Sequence, residues 1–277
     1  MLSPEDAQRV RALAGTVADH DGEHPLNEDA TLALAGAPAS VTHHLRELDG
    51  DLIGYAQRND SHGTAQLFVH PAHRRRGIGG ELLAEVRGVG VWAFGNLPAA
   101  QGFAAANGLL ERRRLLVMQR PLDPPTGQRF DGVRPFTMQD ADALLALNAA
   151  AFDWHPEQRR FSRADLDARL AEDWFDPDGL LVTSDADGLT GFHWTKRHPD
   201  GRGEVYILAT APRAQGTGLG KRLLAAGLEH LAAAGSPSVH LYVEAANARA
   251  VQLYERTGFT VVHSDVLYGP DQPSQEQ

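Results

Sequence analysis

The chain has 277 residues, nearly twice the ~150 typical of a single domain, so two compact units are expected. Its 42% hydrophobic and 22% charged content is that of a globular protein and excludes a largely disordered one. A net charge of −10, from 26 Lys and Arg against 36 Asp and Glu, disfavours an extended nucleic-acid face; the absence of Cys excludes disulfides, thiolate nucleophiles and thiolate-bound zinc.

Ser3-Pro4-Glu5-Asp6 reads as a helix start: Ser caps free amides, Pro fits the first turn and the acids suit the positive dipole end. No basic-then-apolar leader precedes it, and no run reaches the ~18 apolar residues of a membrane span, so a cytoplasmic protein is expected. Val10, Leu13, Ala14 and Val17 continue the helix, Asp21-Gly22 and His24-Pro25 break it, and Asn27 to Ala35 reads as a second. Val41 to Leu48 and Asp51 to Arg58 are strand-like around the turn Asp49-Gly50, and Ala65 to Val69 is a third strand. Pro121-Leu122-Asp123-Pro124-Pro125-Thr126-Gly127-Gln128 can continue neither a helix nor a central strand. Val133 to Phe136 then restarts as a strand, Ala141 to Ala150 as an apolar helix, and the end after Gly269 is polar. The expected division is 1–120, a linker 121–132, a second domain 133–269 and a frayed tail 270–277.

The restart is a second copy. Pro71-Ala72-His73-Arg74-Arg75-Arg76-Gly77-Ile78-Gly79 and Pro212-Arg213-Ala214-Gln215-Gly216-Thr217-Gly218-Leu219-Gly220 lie a constant 141 residues apart (212 − 71, 220 − 79). Each follows an apolar strand and opens an apolar helix. Such a strand–glycine–helix turn aims backbone amides and the helix dipole at one spot, a cradle for a pyrophosphate. The spacing is not that of a Walker A loop, and the third glycine of a dinucleotide fingerprint is missing.

Arg74-Arg75-Arg76-Gly77-Ile78-Gly79 and Gln215-Gly216-Thr217-Gly218-Leu219-Gly220 resemble the pyrophosphate arm, Gln/Arg-x-x-Gly-x-Gly/Ala, of the Gcn5-related N-acetyltransferases (GNAT). The resemblance runs from about Ala7 to Tyr268. It implies an α/β (α+β) fold of two tandem GNAT domains, each a mixed, mostly antiparallel sheet flanked by helices, with acetyl-CoA as co-substrate. The implied CoA contacts in the first copy are Leu67, Phe68 and Val69 on the strand, then Arg74, Arg75, Arg76, Gly77, Ile78, Gly79 and Gly80. In the second they are Leu208, Ala209 and Thr210, then Gln215, Gly216, Thr217, Gly218, Leu219, Gly220 and Lys221, joined by Asn247, Ala248, Arg249, Ala250, Val251 and Gln252.

Amide formation from an amine and a thioester needs a base for the ammonium, amides for the oxyanion and an acid for the departing thiolate. Glu204 opens the strand that leads to the second cradle, and Tyr254 stands four residues before Gly258-Phe259, where the family carries a tyrosine facing the CoA sulfur. Glu204 is the expected general base and Tyr254 the general acid. Either alone reads equally well as an edge acid or a core tyrosine; their joint placement carries the assignment. The corresponding positions of the first copy are Gly63 and Ala104. The first domain is therefore expected to bind CoA without turning it over.

The strings Asn148-Ala149-Ala150-Ala151-Phe152-Asp153-Trp154-His155-Pro156-Glu157-Gln158, Trp174-Phe175-Asp176-Pro177-Asp178-Gly179-Leu180 and Gly191-Phe192-His193-Trp194-Thr195-Lys196 are similar to those of the actinobacterial tandem members that make mycothiol. Those members acetylate the cysteinyl amine of cysteinyl-glucosaminyl-inositol. The similarity implies acceptor contacts from Glu157, Lys196, Glu204 and Tyr242, with Glu28 from the first domain. Another amine acceptor (a protein N-terminus, a polyamine, an aminoglycoside) and a non-catalytic acyl-CoA sensor remain alternatives. Among 13 histidines, His43-His44 point to opposite strand faces and no His-Glu-x-x-His or His-x-His pattern occurs, so no metal is expected. A monomer without nucleic-acid or membrane partners is expected.

Overall fold

A computed structural model of the chain describes residues 2–36, 39–153 and 161–271. The chain forms two compact units. The first comprises Met1–Leu116, Glu244–Ala246 and His263–Gln277; the second comprises Val117–Val243 and Asn247–Val262.

The first unit begins with α1 (Pro4–Asp21), whose start and stop follow from its ends: the Ser3 hydroxyl accepts from the Asp6 amide, and Gly22 terminates it at φ 78°. Its apolar stripe, Ala7, Val10, Leu13, Ala14 and Val17, is buried against Tyr55 and Phe68. A short α2 (Glu28–Leu32) is capped by Asn27. The hairpin β1 (Val41–Leu48) and β2 (Asp51–Asn59) turns at Asp49 and Gly50, both left-handed as its two-residue loop requires. There follow β3 (Thr64–Val69), α3 (Ile78–Glu85), β4 (Gly90–Ala93), α4 (Pro98–Ala106) and β5 (Leu109–Pro121), of which Leu109–Leu116 belongs to this unit.

The second unit contains the rest of β5, then β6 (Val133–Pro135), α5 (Ala141–Ala151), α6 (Arg163–Leu170), β7 (Leu180–Asp185), β8 (Gly188–Arg197), β9 (Gly203–Thr210), α7 (Leu219–Ala233), β10 (Ser238–Glu244) and α8 (Ala248–Arg256). The last strand, β11 (Thr260–Pro270), starts in this unit and passes at His263 into the first, where Val266, Leu267 and Tyr268 pair antiparallel with Ala93, Trp92 and Val91. The strand order is therefore β1-β2-β3-β4-β11-β5 within the first unit's part of the sheet and β5-β10-β9-β8-β7-β6 within the second's. The division differs from a single cut through the proline-rich stretch, because the strand that completes the first unit's part of the sheet lies at the far end of the chain. The proline-rich stretch itself is tied down: Glu229 accepts from the amides of Thr126 and Gly127 at 2.6 Å each.

The second core packs Leu144, Leu147 and Leu166 of the helices against Leu180, Val182, Phe192, Trp194 and Ile207 of the sheet. At the entry to α5, Asp140 takes both guanidinium nitrogens of Arg134 at 2.7 Å and the Thr137 amide at 2.9 Å. Arg134 is the main reason its carboxyl lies far below the usual range.

Candidate functional site

In both units one pair of parallel strands pairs briefly and then separates. β9 meets β10 only through Gly203 opposite Val239 and Glu204 opposite His240; β3 meets β4 only through Thr64 opposite Gly90 and Ala65 opposite Val91. Beyond those pairs the facing backbone groups of β9, from Val205 onward, have no strand partner, so their amides and carbonyls are open to a ligand.

At the end of each separated strand the chain turns through the cradle. Gly216 (φ 84°) and Gly218 (φ 88°) take left-handed geometry before α7, and Arg75 (φ 63°) and Gly77 (φ 89°) repeat it before α3. The two arms thus share one backbone path, which the first copy follows with an arginine where the second has glycine. The leading amides of α7 have no intrahelical acceptor and point outward at the positive end of its dipole. Lys221 and Arg222 join Arg129 around a recess of about 430 Å³ at this helix start. Asn247 caps α8 by accepting from the Ala250 amide, and Arg249 reaches back to Gln215 of the arm at 2.8 Å. The contacts expected on Asn247 to Gln252 are thereby brought beside the second arm.

In the first unit Leu67, Phe68, Val69, Arg74, Arg75 and Gly77 to Gly80 line a cavity of about 560 Å³, closed on its other sides by Trp92, Phe94, Phe103 and Tyr268. Arg76 is exposed and does not line it. Arg74 is committed elsewhere: its guanidinium makes a two-point pair with Asp21 at 2.9 and 2.7 Å and donates to the Val69 carbonyl. Asp21 is held below the ordinary carboxyl range chiefly by that pair.

The second unit places Glu204 where β9 and β10 diverge. The register sets Lys196 and His240 opposite Glu204 on the neighbouring strands, so all three share one face of the sheet, with His198, Tyr206 and Tyr242 two residues further along. Glu204 is buried, and its Oε2 accepts from His198 Nε2 at 2.7 Å and lies 3.7 Å from His240 Nε2. Burial pushes the His240 imidazole below its ordinary pKa, the Glu204 charge opposes this, and His198 and Arg202 push it down again. His240 is thus the neutral imidazole at neutral pH.

Lys196 holds its ammonium 4.6 Å from the Trp174 ring centroid and 5.3 Å from that of Tyr206, whose hydroxyl accepts from Arg169 at 2.7 Å. Tyr242 is 48% exposed, with its ring edge-on to His240. Lys196, Glu204 and Tyr242 are therefore brought to one face. Glu28 is exposed in the first turn of α2, and Glu157 lies outside the described residues.

Tyr254 is buried on α8 against Phe259, and burial raises its phenol pKa, which keeps the proton on oxygen. Ala104 holds the matching place on α4: both helices end in a left-handed glycine, Gly108 and Gly258, four residues further on. The counterpart of Glu204 needs correction. Gly63 falls in the turn before β3, at φ 63°, and the last residue of the paired segment is the buried Ala65. The shift of register arises because β3 starts at Thr64, two residues later than the arm alignment of Gly203 implies (203 − 141 = 62), and its two parallel pairs are displaced with it. Neither residue carries a carboxyl group.

His198 and His240 are the site residues that sequence reasoning passed over. They stand 6 and 36 residues from Glu204, so no local motif contains them. The available signal was parity: each is two residues from a residue already assigned to this face, Lys196 and Tyr242.

A model described as acetyltransferase (GNAT) family matches residues 148–259, and one described as acetyltransferase (GNAT) domain matches residues 40–112. A mycothiol acetyltransferase of Propionibacterium freudenreichii subsp. shermanii is 42% identical over 100% of this chain and 92% of its own length. One of Rhodococcus opacus is 44% identical over 96% and 95%. A tandem GNAT protein from the clavulanic acid biosynthesis pathway, 19% identical, has the same fold with a TM-score of 0.67 over 97% of this chain and 96% of its own. With two GNAT units and relatives of this identity along nearly the whole of both chains, the chain belongs to the mycothiol acetyltransferase family.

Proposed function

We propose that the chain moves an acetyl group from acetyl-CoA to the cysteinyl amine of cysteinyl-glucosaminyl-inositol, and that the second unit does the chemistry. The observation that carries this reading is the position of Glu204 at the fork of β9 and β10, directly upstream of open strand backbone and the arm. The pantetheine lies along Val205 to Thr210, the pyrophosphate on the amides of Gly216 to Lys221, and the acetyl carbonyl against the backbone at the fork. Glu204 takes a proton from the acceptor ammonium and passes it to solvent by way of His198, which is a quarter exposed. The free amine attacks the carbonyl, backbone amides stabilise the oxyanion, and the second proton on the attacking nitrogen passes to Glu204. Tyr254 gives its proton to the departing thiolate and is reprotonated from solvent. Lys196 and Tyr242 hold the sugar and inositol hydroxyls.

The first unit keeps the cradle and a cavity of about 560 Å³ but has Ala65 and Ala104 at the two proton-transfer positions. It binds CoA as a ligand and does not turn it over.

The deciding experiment supplies acetyl-CoA and a panel of amines, including cysteinyl-glucosaminyl-inositol, a polyamine, an aminoglycoside and a peptide N-terminus. CoA is separated by chromatography, because the cysteinyl acceptor carries a thiol of its own. Turnover with the cysteinyl acceptor at least tenfold above the others supports the reading; turnover confined to another amine discards it.

A further inference from the structure

We propose that His198, Glu204 and His240 form a site for a divalent transition-metal cation, with Zn²⁺ the preferred occupant. Glu204 at the start of β9 and His240 in β10 are paired by sheet register, and His198, one residue past the end of β8, is set beside them by the β8–β9 turn, where its amide donates to the Arg202 carbonyl at 2.8 Å. Their candidate ligand atoms all lie within 4.8 Å of one another, and among the described residues no other group of three or more is brought together in this way.

The atoms are the right ones. Both histidines present Nε2 to the same carboxylate oxygen, at 2.7 and 3.7 Å. Zinc bonds of about 2.0–2.1 Å in a tetrahedron set ligand atoms roughly 3.3 Å apart, between those two distances. Shifts of about half an ångström therefore bring each imidazole to the separation from the carboxylate oxygen that zinc requires, and the two imidazole ligand atoms start within 4.8 Å of each other. Two imidazoles and one carboxylate form a zinc-type donor set, and a chain without Cys has no thiolate to compete for the ion. Glu204 and His240 are buried, while His198 is a quarter exposed, which gives the ion an entry and leaves a fourth position for water.

Binding stands on this geometry alone. Its consequence rests on the acetyl-transfer reading: a carboxylate ligated to zinc no longer accepts a proton from the acceptor, so zinc inhibits.

The test uses the full-length, tag-free, metal-stripped protein, titrated with Zn²⁺ against a chromophoric chelator, with Co²⁺ as a visible-absorption probe of four-coordination. One equivalent is expected to bind, and Glu204→Gln, His240→Asn and His198→Asn should each weaken it by more than about 100-fold, since even outer-shell partners are worth 10–100-fold. Circular dichroism and the metal-free Tm establish that each variant is folded; Glu204→Gln is isosteric and His198 partly exposed, so the test does not hang on His240→Asn. Equal zinc binding by the parent and all three folded variants would assign the metal to other histidines and overturn the proposal, as would no stoichiometric binding. Zinc bound as expected with acetyl transfer undiminished would leave the cation site standing and remove Glu204 as the base.

Discussion

Tyr254 and His193 show how burial sets the protonation of single groups in the second unit. The Tyr254 phenol is raised by burial and stays protonated, the state required of an acid that meets a thiolate. Tyr254→Phe is expected to lower kcat about 100-fold with little change in the acetyl-CoA KM, measured by steady-state CoA release. His193 is fully buried under α7 and donates Nδ1–H to the Leu223 carbonyl at 2.9 Å; burial brings its pKa from the ordinary 6.5 to about 4. Between those values the unfolded chain binds a proton that the native chain refuses, so stability is full above pH 6.5 and falls as the pH drops toward 4. The loss is on the order of 3 kcal/mol. Urea midpoints between pH 7 and pH 4.5 should fall steeply in the parent and less steeply in His193→Gln; equal slopes would refute the assignment. Glu204 and Tyr254 were legible in the sequence because each has a fixed offset from a glycine landmark. His198 and His240 were not, because their proximity is a property of strand register and of the β8–β9 turn.

At the scale of elements, the arms and the helix above the second unit's strands depend on glycine for separate reasons. Gly216 is needed for its left-handed φ; Arg75 holds the same conformation in the first copy at a cost of roughly 1 kcal/mol. Arg75→Gly is expected to raise the first unit's stability, and Gly216→Ala to lower the second unit's and weaken acetyl-CoA binding, both read by calorimetry with and without ligand. Gly227 is needed for space: a Cβ there would fall on the His193 ring. Gly227→Ala should destabilise by about 1–3 kcal/mol in urea unfolding, as overpacking does. The α1 boundaries and the β1–β2 hairpin were legible because caps and turns are local chemistry. The strand fork was not, since the pairing of β9 with β10 bridges more than 30 residues of intervening chain.

At the scale of the whole molecule, the chain's last strand completes the first unit's part of the sheet. The 141-residue repeat announced two copies, yet nothing local in Val266-Leu267-Tyr268 says which copy they pair with. A chain stopped after Val262 should expose the edge of β4, lose the first unit's cooperative transition and aggregate, as seen by calorimetry and light scattering. Retention of that transition would show that the strand is dispensable. The duplicated cradles differ in the side chains beside them, Glu204 and Tyr254 in the second unit against Ala65 and Ala104 in the first, and the proposed function makes the second unit the catalytic one. The most direct measurement is kcat for acetyl transfer to the cysteinyl acceptor in Glu204→Gln, with the acetyl-CoA KM taken alongside. The account predicts a fall of about 100-fold or more with KM nearly unchanged; a kcat within threefold of the parent would contradict it.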